Sequence, residues 1–309
     1  MDVNTQACFF TNFFRTLKEA NCDYVVLHSW QTLPEMATSD VDFLVSAQER
    51  SRVEPLIRQA AAACGWRLVQ KLWYDVPWCF YFVVVSPNNE VSVAVDFVSD
   101  PAGIGEYRIK DSLILQHKVD SGLLLHLTTE MELAYKLAKR RVKGIFSEKD
   151  REFVFDYYAR SDKAELLLRM KELLPQSFID NALEFCERHA SVAEWQALMS
   201  RTSPAFRFAG RRWRIRLHPM WFIMTVRRVL MRMLHPTGFI LTVSPDVTVP
   251  DFPKFVFRRT KEIRGALSWS QRFCALSSAT LIVNRVNERQ HAQRNLLSFV
   301  LTALERRRV

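Results

Sequence analysis

The spacing of apolar residues changes period along the chain, and the changes mark out elements. Phe9, Phe10, Phe13, Phe14 and Leu17 recur with helical spacing, which predicts an amphipathic helix to about Ala20. Tyr24 to Leu27 reads as a short buried strand, followed by a loop containing Pro34 and a second strand, Val41 to Val45. Gln48 to Cys64 predicts a helix with an alanine-rich face, stopped by Gly65. Arg67 to Trp73 and Cys79 to Val85 read as strands. After the turn at Pro87-Asn88-Asn89, Val91 to Val98 returns as a strand with Val91, Val93 and Val95 on one face. Residues 1–127 therefore predict an α/β (α+β) unit, a mixed sheet with flanking helices.

From Thr128 the period is helical. Thr128 or Thr129 can cap a helix, with Glu132 as the reciprocal capping-box partner. Helical patterns continue over Lys149–Arg160, Lys163–Leu174, Ser177–His189 and Val192–Met199, so 128–205 predicts a helical bundle. In the remaining region, 206–309, Gly238 to Val243 and Ala279 to Val283 read as strands. Pro245, Pro250 and Pro253 mark a loop, and the rest reads as mostly helical.

Charge divides the chain differently. Residues 201–309 hold 21 Lys+Arg and 5 Asp+Glu, a balance of +16, which leaves −6 on residues 1–200 out of the total of +10. No acidic residue occurs between Glu194 and Asp246. Arg207, Arg211, Arg212, Arg214, Arg216, Arg227, Arg228 and Arg232 fall there among Trp213, Trp221 and Phe222. The first reading is docking of this stretch on the acidic half. An anionic membrane surface, met through Arg207–Arg232, is the second, and nucleic acid the third.

Composition adds limits. Hydrophobic residues at 49% and charged residues at 25% suit an ordinary folded protein. The six cysteines form no CxxC pair, and the histidines, His28, His117, His126 and His189 among them, have no zinc spacing. Buried free thiols are expected. Met1 to Ala7 lacks the basic start of a signal peptide, and no apolar run reaches membrane-spanning length. The expected location is the cytoplasm, with peripheral attachment at the inner membrane face as the alternative.

The candidate chemistry lies in three carboxylates. Asp40-Val41-Asp42 opens a strand, and alternation puts both side chains on one side. Asp96 sits inside the apolar strand Val93-Ala94-Val95-Asp96-Phe97-Val98, where a charge is costly unless paired or bound to metal. Three carboxylates converging from strands make a hard oxygen site suited to one or two Mg²⁺ ions, bridging a nucleoside triphosphate and an attacking hydroxyl.

A strand, Tyr24 to Leu27, a His28-Ser29 pair, Asp40-x-Asp42 about a dozen residues later and a further Asp96 resemble the nucleotidyltransferase superfamily, which includes polymerase-beta-like and aminoglycoside nucleotidyltransferases. The resemblance covers about residues 9–100. It implies Asp40, Asp42 and Asp96 as metal ligands and catalytic residues, with Asp96 activating the acceptor and Ser29 holding a phosphate oxygen. Lys136 and Lys139 on the following helix would reach the triphosphate. The chain departs from the family at His28, which stands where the family has glycine and adds bulk where backbone should approach the nucleotide.

The run from Tyr24 to Val45 is similar to a subgroup from bacterial surface-polysaccharide gene clusters, some of which continue into a thymidylate-kinase-like module. His235 to Asp246 resembles the opening of that module. The following Val247-Thr248-Val249-Pro250-Asp251 lacks the glycines and lysine of a phosphate loop, so the region reads as a degenerate remnant. The expected function is Mg²⁺-dependent transfer of a nucleotidyl group from an NTP to a small molecule or glycan precursor. The alternatives are a catalytically weakened binding or scaffold protein, and a toxin-like transferase acting on RNA or protein.

Overall fold

The computed structural model describes residues 2–202, apart from 38, 74–77, 102 and 104–108, and beyond them chiefly three strands between 239 and 285. Thr5 opens the first helix, α1 (Gln6–Glu19), by accepting from the Cys8 N–H, and the predicted phenylalanine stripe is its buried face. The chain continues through β1 (Tyr24–Val26) and β2 (Val41–Val45) to α2 (Val53–Ala63). It then runs through β3 (Arg67–Trp73), β4 (Cys79–Val85) and β5 (Ser92–Val98). The second helix starts five residues later than its apolar pattern suggests. A single turn at Ala47–Glu49 precedes it, and the side chains of Arg50 and Arg52 are held by Ser99 and Glu49.

The sheet has seven strands in the order β3-β4-β5-β2-β1-β7-β6. It is mixed: β2 runs parallel to β5 and β1 to β7, and the other neighbours are antiparallel. The fold class is mixed α/β, as expected. Three short elements were not anticipated: α3 (Asp111–Leu115), β6 (Lys118–Asp120) and β7 (Leu125–Leu127).

Period-two alternation divides the sheet into two faces. Val26, Val41, Phe43, Val45, Phe80, Phe82, Val95 and Phe97 pack with α1 and α2 in one cluster. Val25, Leu27 and Leu44 face the other way, onto Leu127, Met131 and Tyr135. Asp42 and Asp96 have the parity of this second face, one position away from the stacked rings of Phe43 and Phe97, whose centroids are 4.6 Å apart.

The second face is covered by α4 (Thr129–Lys143), the first of five helices with α5 (Glu148–Arg160), α6 (Lys163–Leu173), α7 (Gln176–Glu187) and α8 (Val192–Thr202). Met131 and Tyr135 of α4 join the sheet cluster, whereas Leu133, Ala134, Leu137 and Ala138 join the bundle cluster around Trp195. The expected division at 127–128 thus meets a helix that belongs to both cores. Five of the cysteines are free and buried, as expected, and Cys274 lies outside the described residues.

Near the C-terminus, β8 (Phe239–Val243), β9 (Arg259–Arg264) and β10 (Thr280–Arg285) form a parallel sheet in the order β8-β10-β9. The strands at 239–243 and 280–285 match expectation. Arg259–Arg264 corrects the mostly helical reading of this region. Its charges suit a strand that, among the described residues, lies at the sheet edge, and Lys261 and Glu262 are exposed there. Of the Arg207–Arg232 stretch, Ile223, Val226, Arg227 and Leu230 are described and exposed, and Arg207, Arg211, Arg212, Trp213, Trp221 and Arg232 lie outside the described residues. Of the degenerate phosphate-loop segment, residues 247–250 also lie outside them, and Asp251 is exposed. No helix among the described residues is long and apolar enough to cross a membrane.

Candidate metal and nucleotide site

Parallel pairing sets the site. In the register of β2 with β5, Asp42 lies directly beside Asp96, and Asp40, two residues before Asp42, has the same parity. One carboxylate oxygen from each of Asp40, Asp42 and Asp96 lies within 4.8 Å of the others. Three hard oxygen donors at this separation fit a divalent cation such as Mg²⁺.

Two cationic or ring donors converge on Asp42. His28 Nε2 lies 2.8 Å and Lys139 Nζ 3.0 Å from Asp42 Oδ2. Burial opposes a charge on Asp42, but Lys139 and then His28 outweigh it and hold the carboxyl far below the usual range. Asp96 is shifted the opposite way. Burial, then the neighbouring Asp42, pushes its carboxyl well above the usual value, although the Cys79 thiol donates to Oδ1 at 3.2 Å. The two neighbouring carboxyls are thus pushed in opposite directions, Asp42 toward the charged form and Asp96 toward the neutral one. Two neighbouring carboxyls with opposed shifts are the arrangement from which acid and base roles are built. Tyr81 completes the wall: it pairs with Asp96 across β4 and β5, and burial followed by Asp40 and Asp96 raises its hydroxyl.

Helix α4 supplies the roof through Glu132, Tyr135 and Lys139, spaced i, i+3, i+7 along one stripe. Lys136 is turned away from this stripe. It lies 3.2 Å from the buried Asp150, which also pairs with Arg140 at 2.6 Å. Expecting Lys136 beside Lys139 at the triphosphate is thus corrected. The two diverge because Asp150, itself fixed in the capping box of α5, draws Lys136 and Arg140 to the bundle side.

Ser29 sits on the rim, exposed, with its Oγ 3.4 Å from His28 Nδ1. The left-handed backbone falls on Ser29, at φ 59°, and the His28 ring turns inward to Asp42. Glu132 also departs from its expected role. Thr128 caps α4 through the Met131 N–H, and Glu132, one residue further, accepts instead from Ser29 N and Trp30 Nε1. His28, Cys79, Tyr81, Glu132 and Tyr135 are the site residues that pattern reasoning missed. The signal for Cys79 and Tyr81 was available: both share the parity of the Asp96 face in a strand paired with it.

Compared with known proteins, the chain matches no family model and no curated protein sequence.

Proposed function

We propose that this protein is a Mg²⁺-dependent nucleotidyltransferase, moving a nucleotidyl group from an NTP to a hydroxyl or phosphate of a small molecule or glycan precursor, as in surface-polysaccharide synthesis. The observation that carries this reading is the convergence of Asp40, Asp42 and Asp96 from adjacent positions of a parallel strand pair. These three carboxylates would hold Mg²⁺, which when bound supplies charge neutralisation of the phosphates and a lowered pKa for the attacking hydroxyl.

The chain's own groups divide the remaining work. Lys139 and His28 keep Asp42 ionised and fixed in orientation. Asp96, directly beside Asp42 in the paired strand, is the carboxylate to which the resemblance gives the acceptor's proton. Ser29 offers an exposed hydroxyl to a phosphate oxygen. Lys139 adds positive charge beside the carboxylates, whereas Lys136 is committed to Asp150.

A non-catalytic binding role is the second reading, and one observation favours it: Asp42 Oδ2 is already occupied by two donors. Calorimetry with each NTP, with and without Mg²⁺, separates the two. The enzyme reading expects Mg²⁺-dependent binding that disappears in Asp40→Ala/Asp42→Ala. Binding indifferent to Mg²⁺ and to both substitutions contradicts it.

A further inference from the structure

The loop that follows β1 is tied down by the helical region. Glu132 on α4 is 1% exposed, and each of its oxygens has a donor from this loop. Ser29 N donates to Oε1 at 3.3 Å and Trp30 Nε1 to Oε2 at 3.1 Å. The Tyr157 hydroxyl of α5 is hydrogen-bonded to the same carboxylate and accepts from Gln31 Nε2. The Trp30 ring stacks on His126 of β7, with centroids 3.6 Å apart and planes at 15°.

Burying a carboxylate is costly, and helix capping does not require this one, because Thr128 already caps α4. What Glu132 does hold is a serine in a left-handed conformation that side chains rarely adopt. The Ser29 N–H, the donor that a phosphate-cradling turn would offer its ligand, is spent on Glu132. The hydroxyl is what remains on the outside. His28 links the hydroxyl to the carboxylates, with Nδ1 3.4 Å from Ser29 Oγ and Nε2 2.8 Å from Asp42.

We infer that Glu132 is a positioning residue: from beneath the 28–31 turn it fixes Ser29 so that the hydroxyl alone, not the backbone amide, meets a phosphate group of the substrate. This rests on the nucleotidyltransferase reading. It makes Glu132 and Ser29 one functional unit, so removing either removes the same interaction.

A double-mutant cycle on the full chain tests it, with Mg²⁺-tripolyphosphate as a base-independent probe and Mn²⁺ alone as a probe of the carboxylates. Ser29→Ala and Glu132→Ala should each weaken tripolyphosphate binding about tenfold, and the double variant no more than either. Ser29→Thr should retain binding, and Mn²⁺ affinity should stay within about twofold of wild type throughout. Losses that add, or a fall in Mn²⁺ affinity with Glu132→Ala, overturn the inference. If Glu132→Ala does not fold, Glu132→Gln keeps the volume but offers an amide N–H₂ where donors point, and wild-type tripolyphosphate binding by it overturns the inference equally. A wild-type protein that binds Mn²⁺ but no tripolyphosphate overturns the nucleotide reading as well, an outcome distinct from additive losses.

Discussion

Asp42 is the residue on which the site's charges meet. Its carboxylate is mostly buried and depends on Lys139 and His28 for its ionisation. Lys139→Met keeps the apolar stem but leaves that charge short of a partner, so it should destabilise the protein by about 3 kcal/mol, read from chemical denaturation. Asp42→Asn in the Lys139→Met background should recover part of the loss, and a further additive loss would contradict the pairing. Glu132 makes a pH prediction of definite sign. Burial raises its carboxyl from an ordinary 4.5 to about 7, with Tyr157, Trp30 and Ser29 opposing the rise. The folded protein then binds the proton more tightly than the unfolded chain does. Glu132 therefore contributes stability that is full below about pH 4.5 and is lost as pH rises to about 7. The Glu132→Gln variant should lack roughly 3 kcal/mol of that decline when melting is followed across this window. An unchanged decline would show that Glu132 is not its source. At this scale the aspartates were legible, because a charge inside an apolar strand demands an explanation. The roles of His28 and Glu132 were not, because both depend on partners 14 and 103 residues away in sequence.

At the scale of elements, the parallel pair of β2 and β5 does most to place the site, and its geometry depends on the opposite face. Phe43 and Phe97 follow Asp42 and Asp96 in their strands and stack across the pair, with Phe13 edge-on to both. Phe43→Ala should cost about 3–5 kcal/mol by denaturant titration, more than an exposed substitution could. A loss below 1 kcal/mol would mean that the ring cluster is not the core of the sheet. The long elements were legible because their apolar periods persist: the phenylalanine stripe of α1 and the alternation of β5 are examples. The elements missed were those with too few residues to show a period. Lys118–Asp120 is three exposed residues on the sheet edge, and Arg259–Arg264 is an edge strand whose charges imitate a solvated helix. Helix α4 was read correctly as a helix, but not as one with three faces, toward sheet, bundle and carboxylates. Only the tertiary packing tells Lys139 from Lys136.

Across the whole molecule, α4 makes the sheet and the bundle parts of one body. Met131 and Tyr135 pack into one cluster, and Leu133, Ala134, Leu137 and Ala138 into the other. Trp195→Ala removes a fully buried ring stacked on Phe146 at 4.2 Å, deep in the bundle. It should lower the unfolding temperature of the sheet as well as that of the bundle. Calorimetry in which only one of two separate transitions moves would contradict this coupling. The charge asymmetry, +16 on residues 201–309, was legible in composition, but composition alone does not say which surface the arginines meet. The central claim is that Asp40, Asp42 and Asp96 bind a divalent cation, and the most direct measurement is Mn²⁺ titration of the purified full chain, followed by the electron paramagnetic resonance of the free ion. Saturable binding by the wild type, lost in Asp42→Asn and in Asp96→Asn at unchanged fold, is the predicted result. Wild-type protein that leaves all the Mn²⁺ free, or variants that bind it as the wild type does, would contradict the account.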